Sequence, residues 1–180
     1  PDYSSAASDV YKRQECITGL DLVEMQLRLA EGDTILPEQA SIQMQGHAIE
    51  LRVYAEDPAT NYLPSSGPVK SMTLPMDQAI RLDQAIEAGD EISPFYDPMV
   101  AKFIAYGRNR DHALRILQSY LPKCTIFGFR HNLPFLEALL ATPAVQDNEV
   151  YTKWLDENPV VSEEDTLTDL DWVKLATSIW

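Results

Sequence analysis

Apolar residues recur along this chain at two different periods, and the switch between them divides it. Between Thr18 and Gly32, the residues Leu20, Val23, Leu27 and Ala30 fall on one side of a 3.6-residue helix. Thr18 and Asp21 have the spacing of a capping box with a short acid, and Gly32 supplies a stop, so a helix is predicted there, followed by a link through Pro37 to Gly46. At His47 the period becomes two. Ile49, Leu51 and Val53 share one face of a strand ending at Tyr54, while Glu50 and Arg52 share the other, as in a strand with one side on a core. Asp57-Pro58 and Pro64-Ser65-Ser66-Gly67-Pro68 punctuate the loops that follow. Val69 to Leu74 and Ala79 to Asp83 read as short strands with Pro75-Met76-Asp77 as a turn between them. The run from Met99 to Tyr106, with Lys102 as its only charge, is predicted to be a central strand.

Beyond it the helical period returns. Arg110 to Leu121 places Ala113, Leu114, Leu117 and Leu121 on one face and ends at Pro122. Leu133 to Ala141 follows Asn132, which is predicted to be its N-cap, and stops before Pro143. A last short helix is expected to carry Val150, Trp154 and Leu155. The sum is an α+β fold, a mostly antiparallel sheet with flanking helices.

Composition narrows the functional classes. The 180 residues carry a formal net charge of -14, which repels nucleic acid and anionic membrane surfaces, so neither is an expected partner. Acid is concentrated in the tail, where Asp156, Glu157, Glu163, Glu164, Asp165, Asp169 and Asp171 meet no base between Lys153 and Lys174; this reads as a solvated segment or a docking tail for a basic partner. Cys16 and Cys124 are too few for a disulfide framework or a zinc site and read as small core residues in a reducing compartment. No apolar run approaches a membrane span or a secretory signal, and a cytoplasmic location is expected. Residues 1–14 have neither cap nor periodicity and read as a foreign or disordered lead.

Generic catalytic patterns are missing from the sequence: there is no glycine-rich phosphate loop, HExxH, GxSxG or CxxC. His47, His112 and His131 lack metal spacing and are expected to make structural hydrogen bonds. Arg81, between Ile80 and Leu82, projects from the opposite sheet face beside Asp83. Two roles fit it: an ion pair with Asp83 or across an interface, or a guanidinium held ready for a developing oxyanion. Lys102 poses the same choice and reads as a buried ion pair with Asp97 or Glu50; Asp97, in Tyr96-Asp97-Pro98, could equally cap a turn.

Several spaced motifs in one order go beyond patterning. Gly46-His47-Ala48-Ile49-Glu50-Leu51-Arg52, Ala55-Glu56-Asp57-Pro58, Leu63-Pro64-Ser65, Tyr96-Asp97-Pro98-Met99-Val100-Ala101-Lys102, and Asn132 with Phe135-Leu136 resemble the C-terminal domain of biotin carboxylases. Glu15 to Val23 resembles the segment that precedes that domain. The resemblance implies a division into a lead at 1–14, the end of an ATP-grasp region at 15–42, the biotin carboxylase C-terminal domain at 43–158 and an acidic tail at 159–180. It implies a ligase that uses ATP, Mg2+ and bicarbonate to carboxylate biotin on a carrier protein, within an acyl-CoA carboxylase that also has a carboxyltransferase subunit. Arg81 matches the position of an arginine expected to stabilise the enolate-like form of biotin. No nucleotide or metal ligand is expected in this chain, which alone is expected to be inactive, and the domain is expected to contribute to a homodimer. A non-catalytic dimerisation module, or the same domain in a pyruvate or urea carboxylase, is the alternative.

Overall fold

The computed structural model describes residues 3–33 and 37–160, with side chains from Tyr11 onward. The chain opens with helices α1 (Tyr3–Thr18) and α2 (Leu22–Ala30), followed by strands β1 (His47–Tyr54), β2 (Glu56–Asp57), β3 (Leu63–Pro64), β4 (Gly67–Pro68), β5 (Ser71–Thr73), β6 (Ile80–Gln84), β7 (Glu91–Ile92) and β8 (Met99–Gly107). Helix α3 (Arg110–Tyr120), strand β9 (Thr125–Phe127) and helices α4 (Leu133–Leu140), α5 (Pro143–Gln146) and α6 (Trp154–Glu157) complete it. The fold is α+β, as expected, and its described strand pairs are antiparallel.

The largest sheet has the order β1–β8–β6, with the apolar run from Met99 at its centre. Leu51, Phe103 and Leu82 stand abreast on one face, as do Ile49, Ala105 and Ile80. Helix α3 packs on the sheet with Ala113, Leu114, Leu117 and Tyr120 buried. Asn109 caps that helix by accepting from His112 N–H at 2.9 Å. Phe103 and Tyr120, both fully buried, meet edge to face at 5.2 Å in the core.

Several sequence expectations are corrected. Residues 3–18 form one helix although no element was expected before Thr18: alanine, arginine and glutamine favour a helix even without an apolar stripe. Thr18 is the last residue of that helix, its hydroxyl donating back to Gln14 C=O at 2.7 Å, and Gly19 leaves it at φ +71°. The cap of the next helix is Asp21, which accepts from Glu24 N–H at 2.8 Å, so the cap of α2 lies three residues later than predicted, and the helix buries none of its residues. The strands expected on either side of Pro75-Met76-Asp77 do form, as β5 and β6, and their partners are distant: β5 joins β9 and β6 joins β8. Val150 lies outside the last helix, which has no buried residue. Cys124 packs at the margin of the core, whereas Cys16 is half-buried outside it. Most of the acidic tail, from residue 161, lies outside the described residues.

Candidate functional site

Strand alternation puts a second set of side chains on the face of the β1–β8–β6 sheet opposite Phe103. Pairing sets Glu50, Ile104 and Arg81 abreast, and beside them Arg52, Lys102 and Asp83. Five charged residues therefore share one face of a three-stranded sheet. Helix α1 lies against β1 and β8, leaving Ile104 fully buried and Lys102 6% exposed.

Arg81 is 44% exposed and belongs to a network. Its Nη1 donates to Glu15 Oε2 at 3.1 Å and its Nε donates to Asp83 Oδ1 at 3.3 Å. The ion pair with Asp83, one of the two roles left open by the sequence, is thus formed. Lys12 Nζ donates to the other Asp83 oxygen at 2.7 Å. Burial alone would raise the Asp83 carboxyl, but the Lys12 hydrogen bond and the Arg81 charge outweigh it and hold the group below its ordinary value. Glu15 works at both ends, because its Oε1 accepts from Leu22 N–H at 3.0 Å, tying Arg81 to the first turn of α2.

Arg52 sits across the same face, also about two-fifths exposed. Its Nε lies 3.7 Å from Glu50 Oε1, and its Nη1 donates to Tyr54 Oη at 3.4 Å. The Glu50 side chain is only 4% exposed, and its second oxygen is buried without a hydrogen-bond partner. Burial pushes that carboxyl up, against the pull of Arg13, Lys102 and Lys12. The main chain around Arg52 is held from outside the sheet. Asn132, 6% exposed, donates through Nδ2 to Arg52 C=O at 3.1 Å and accepts at Oδ1 from Tyr54 N–H at 2.9 Å. Asn132 stands at the N-terminus of α4 but makes no side-chain cap there, contrary to expectation, because its amide is committed to β1.

The remaining sequence candidates separate from this face. Asp97 caps a turn, accepting from Met99 N–H at 3.0 Å. His112 accepts from Arg108 N–H and His131 bonds Ile126 C=O, both structural contacts. Burial pushes the Cys16 thiol up, which opposes a nucleophilic thiolate. Among the described residues no group of three His, Cys, Asp or Glu side chains could hold a metal ion.

Sequence reasoning missed Arg52 as a functional candidate, although its alternation with Glu50 already placed it on the polar face. It also missed that Glu15 meets Arg81, a contact 66 positions apart that no local pattern signals. Chemically, two half-exposed guanidiniums on one face suit an anion with charge on oxygen, since each offers fixed donors that need no reorganisation.

Residues 50–157 match the family model of the biotin carboxylase C-terminal domain. The chain is 43% identical over 144 residues to biotin carboxylase 2 of Bacillus subtilis, covering 80% of this chain and 32% of that protein. It is 41% identical to the mitochondrial methylcrotonoyl-CoA carboxylase subunit alpha of Mus musculus, covering 80% of this chain and 20% of that protein. Among solved structures, the biotin carboxylase domain dimer of Hydrogenobacter thermophilus 2-oxoglutarate carboxylase superimposes with a TM-score of 0.80 at 32% identity, over 83% of this chain and 33% of that one. The chain thus spans about a fifth to a third of the relatives it matches.

Proposed function

The chain belongs to the biotin carboxylase C-terminal domain family, and on that premise we propose that it is the part of a complete biotin carboxylase subunit whose charged sheet face stabilises the anionic form of biotin. The complete enzyme carboxylates biotin on a carrier protein with ATP and bicarbonate and hands the group to a carboxyltransferase subunit of an acyl-CoA carboxylase in the cytoplasm. ATP and Mg2+ are held by other parts of that enzyme. Deprotonated biotin brings a ureido group with negative charge on its oxygen. The observation that carries the reading is the presence of Arg81 and Arg52 on one half-exposed face.

The resemblance assigns the anion to Arg81. Two carboxylates, Glu15 and Asp83, lie within 3.1 and 3.3 Å of the Arg81 guanidinium and hold it in place on the charged face. Those partners lower the charge that Arg81 presents to a ligand. The test is biotin carboxylation by the complete enzyme carrying Arg81→Ala or Arg52→Ala, with dimerisation measured alongside. The arginine that meets the anion should lose about 10²- to 10³-fold in kcat on truncation, the range for losing one oxyanion-stabilising donor. Loss of dimerisation with carboxylation intact in Arg81→Ala would assign that residue to assembly. Full activity in both variants ends the proposal.

A further inference from the structure

Helix α1 ends at Thr18 and α2 begins at Leu22, and between them Gly19 turns the chain at φ +71°. The first turn of a helix leaves N–H groups without partners, and two side chains serve those of α2. Asp21 accepts from Glu24 N–H at 2.8 Å, and Glu15 Oε1 accepts from Leu22 N–H at 3.0 Å. A carboxylate at that place also meets the positive end of the helix dipole. Because α2 buries none of its residues, hydrogen bonds and not packing fix where it starts.

The other oxygen of Glu15 faces the sheet. Its Oε2 accepts from Arg81 Nη1 at 3.1 Å, 66 positions further along the chain on the edge strand β6. The Glu15 main chain is fixed as well, since its C=O accepts from Gly19 N–H at 2.8 Å. The Glu15 side chain is 13% exposed against 44% for Arg81, so the carboxylate is the anchored member of the pair. Asp83, which accepts from Nε of the same guanidinium, belongs to the same strand as Arg81 and moves with it. Glu15 is the partner that comes from outside the sheet.

We propose that Glu15 is a positioning residue for Arg81: one carboxylate oxygen holds the guanidinium and the other holds the first turn of α2, so that Arg81 keeps one direction over the charged face. The inference rests on the reading in which Arg81 takes part in stabilising the anionic biotin. Glu15 itself touches no reacting atom. Without it Arg81 would carry more uncompensated charge but a less fixed direction, and an anion gains most from a donor already aimed at it. The effect therefore belongs in the rate of biotin carboxylation and not in nucleotide binding.

The experiment uses the complete enzyme with biotin as acceptor and separates the two ends of Glu15. Glu15→Gln keeps a carbonyl oxygen for Leu22 N–H but turns an amide NH2 toward the Arg81 guanidinium, and its near-identical shape preserves the fold. It should lower kcat for biotin carboxylation by about tenfold to a hundredfold, with KM for ATP unchanged. Hydrogen exchange at the amides of Leu22 to Glu24 should stay as slow as in the parent. Glu15→Ala releases both ends, so it should slow the reaction to a similar degree and also speed exchange in α2. In an Arg81→Ala background neither change should slow carboxylation further, because the group that Glu15 positions is gone. A glutamine variant as fast as the parent or faster, or a full additional loss on top of Arg81→Ala, overturns the inference. Should Arg81→Ala itself carboxylate biotin at the wild-type rate, the reading of Arg81 fails first. Should Arg81→Ala be slow while Glu15→Gln is fast, the positioning role alone fails.

Discussion

The two faces of the β1–β8–β6 sheet are built from the same strands by the same alternation, yet they obey different physics. On the α3 side, Val53, Phe103, Ala105, Leu114 and Leu117 are packed to zero or near-zero exposure and need only be apolar and of suitable volume. On the α1 side, Glu50, Arg52, Arg81, Asp83 and Lys102 are stable only in particular pairings, and the groups range from buried to two-fifths exposed. The first face holds the domain together. The second offers chemistry, and partners for its side chains come from helix α1, distant in sequence.

The contrast makes graded predictions for the purified chain. Phe103→Ala should cost the most, about 3 to 5 kcal/mol, because it opens a cavity beside the edge-on ring of Tyr120. Urea denaturation would show it as a lowered midpoint, and a loss below about 1 kcal/mol would mean that the two faces do not differ as described. Arg81→Ala on the charged face should cost no more than about 1 kcal/mol, because a guanidinium 44% exposed gains little from its ion pairs in water. A larger loss in the same measurement would make Arg81 a structural keystone of the charged face.

Glu50→Gln should have the smallest effect, and of opposite sign. Burial raises the Glu50 carboxyl above its ordinary value of 4.5 in the folded chain. A group with a raised folded value favours folding while protonated, at low pH, and loses that contribution as pH rises through the folded value. Glutamine cannot ionise, so the variant should melt slightly higher than the parent at pH 7, and the gain should vanish as pH falls below about 4. Thermal melts at the two pH values check this, and a variant that melts lower at pH 7 would show that Glu50 is better paired than its buried, unpartnered oxygen indicates.

Much of the fold was legible because it depends on period. The strand from His47, the central strand from Met99, the helix from Arg110 and the helix from Leu133 all lie within a residue or so of where alternation and caps placed them. Elements whose stability is not encoded as an apolar stripe were misread. Residues 3–18 are helical without such a stripe, and α2 has the stripe but buries none of it.

Sequence alone determined which residues share a strand face, since side chains alternate whatever the strand packs against; Arg81 and Asp83 were placed together for that reason, and the spaced motifs placed the chain in its family. Tertiary structure alone decided which carboxylate meets which guanidinium. Glu15 reaches Arg81 across 66 positions, and Asn132 leaves the helix it was expected to cap to hold Arg52 across 80. Hydrogen bonds and ion pairs act over about 3 Å and depend on direction, so they are set by how distant segments dock, whereas burial depends only on pattern and area.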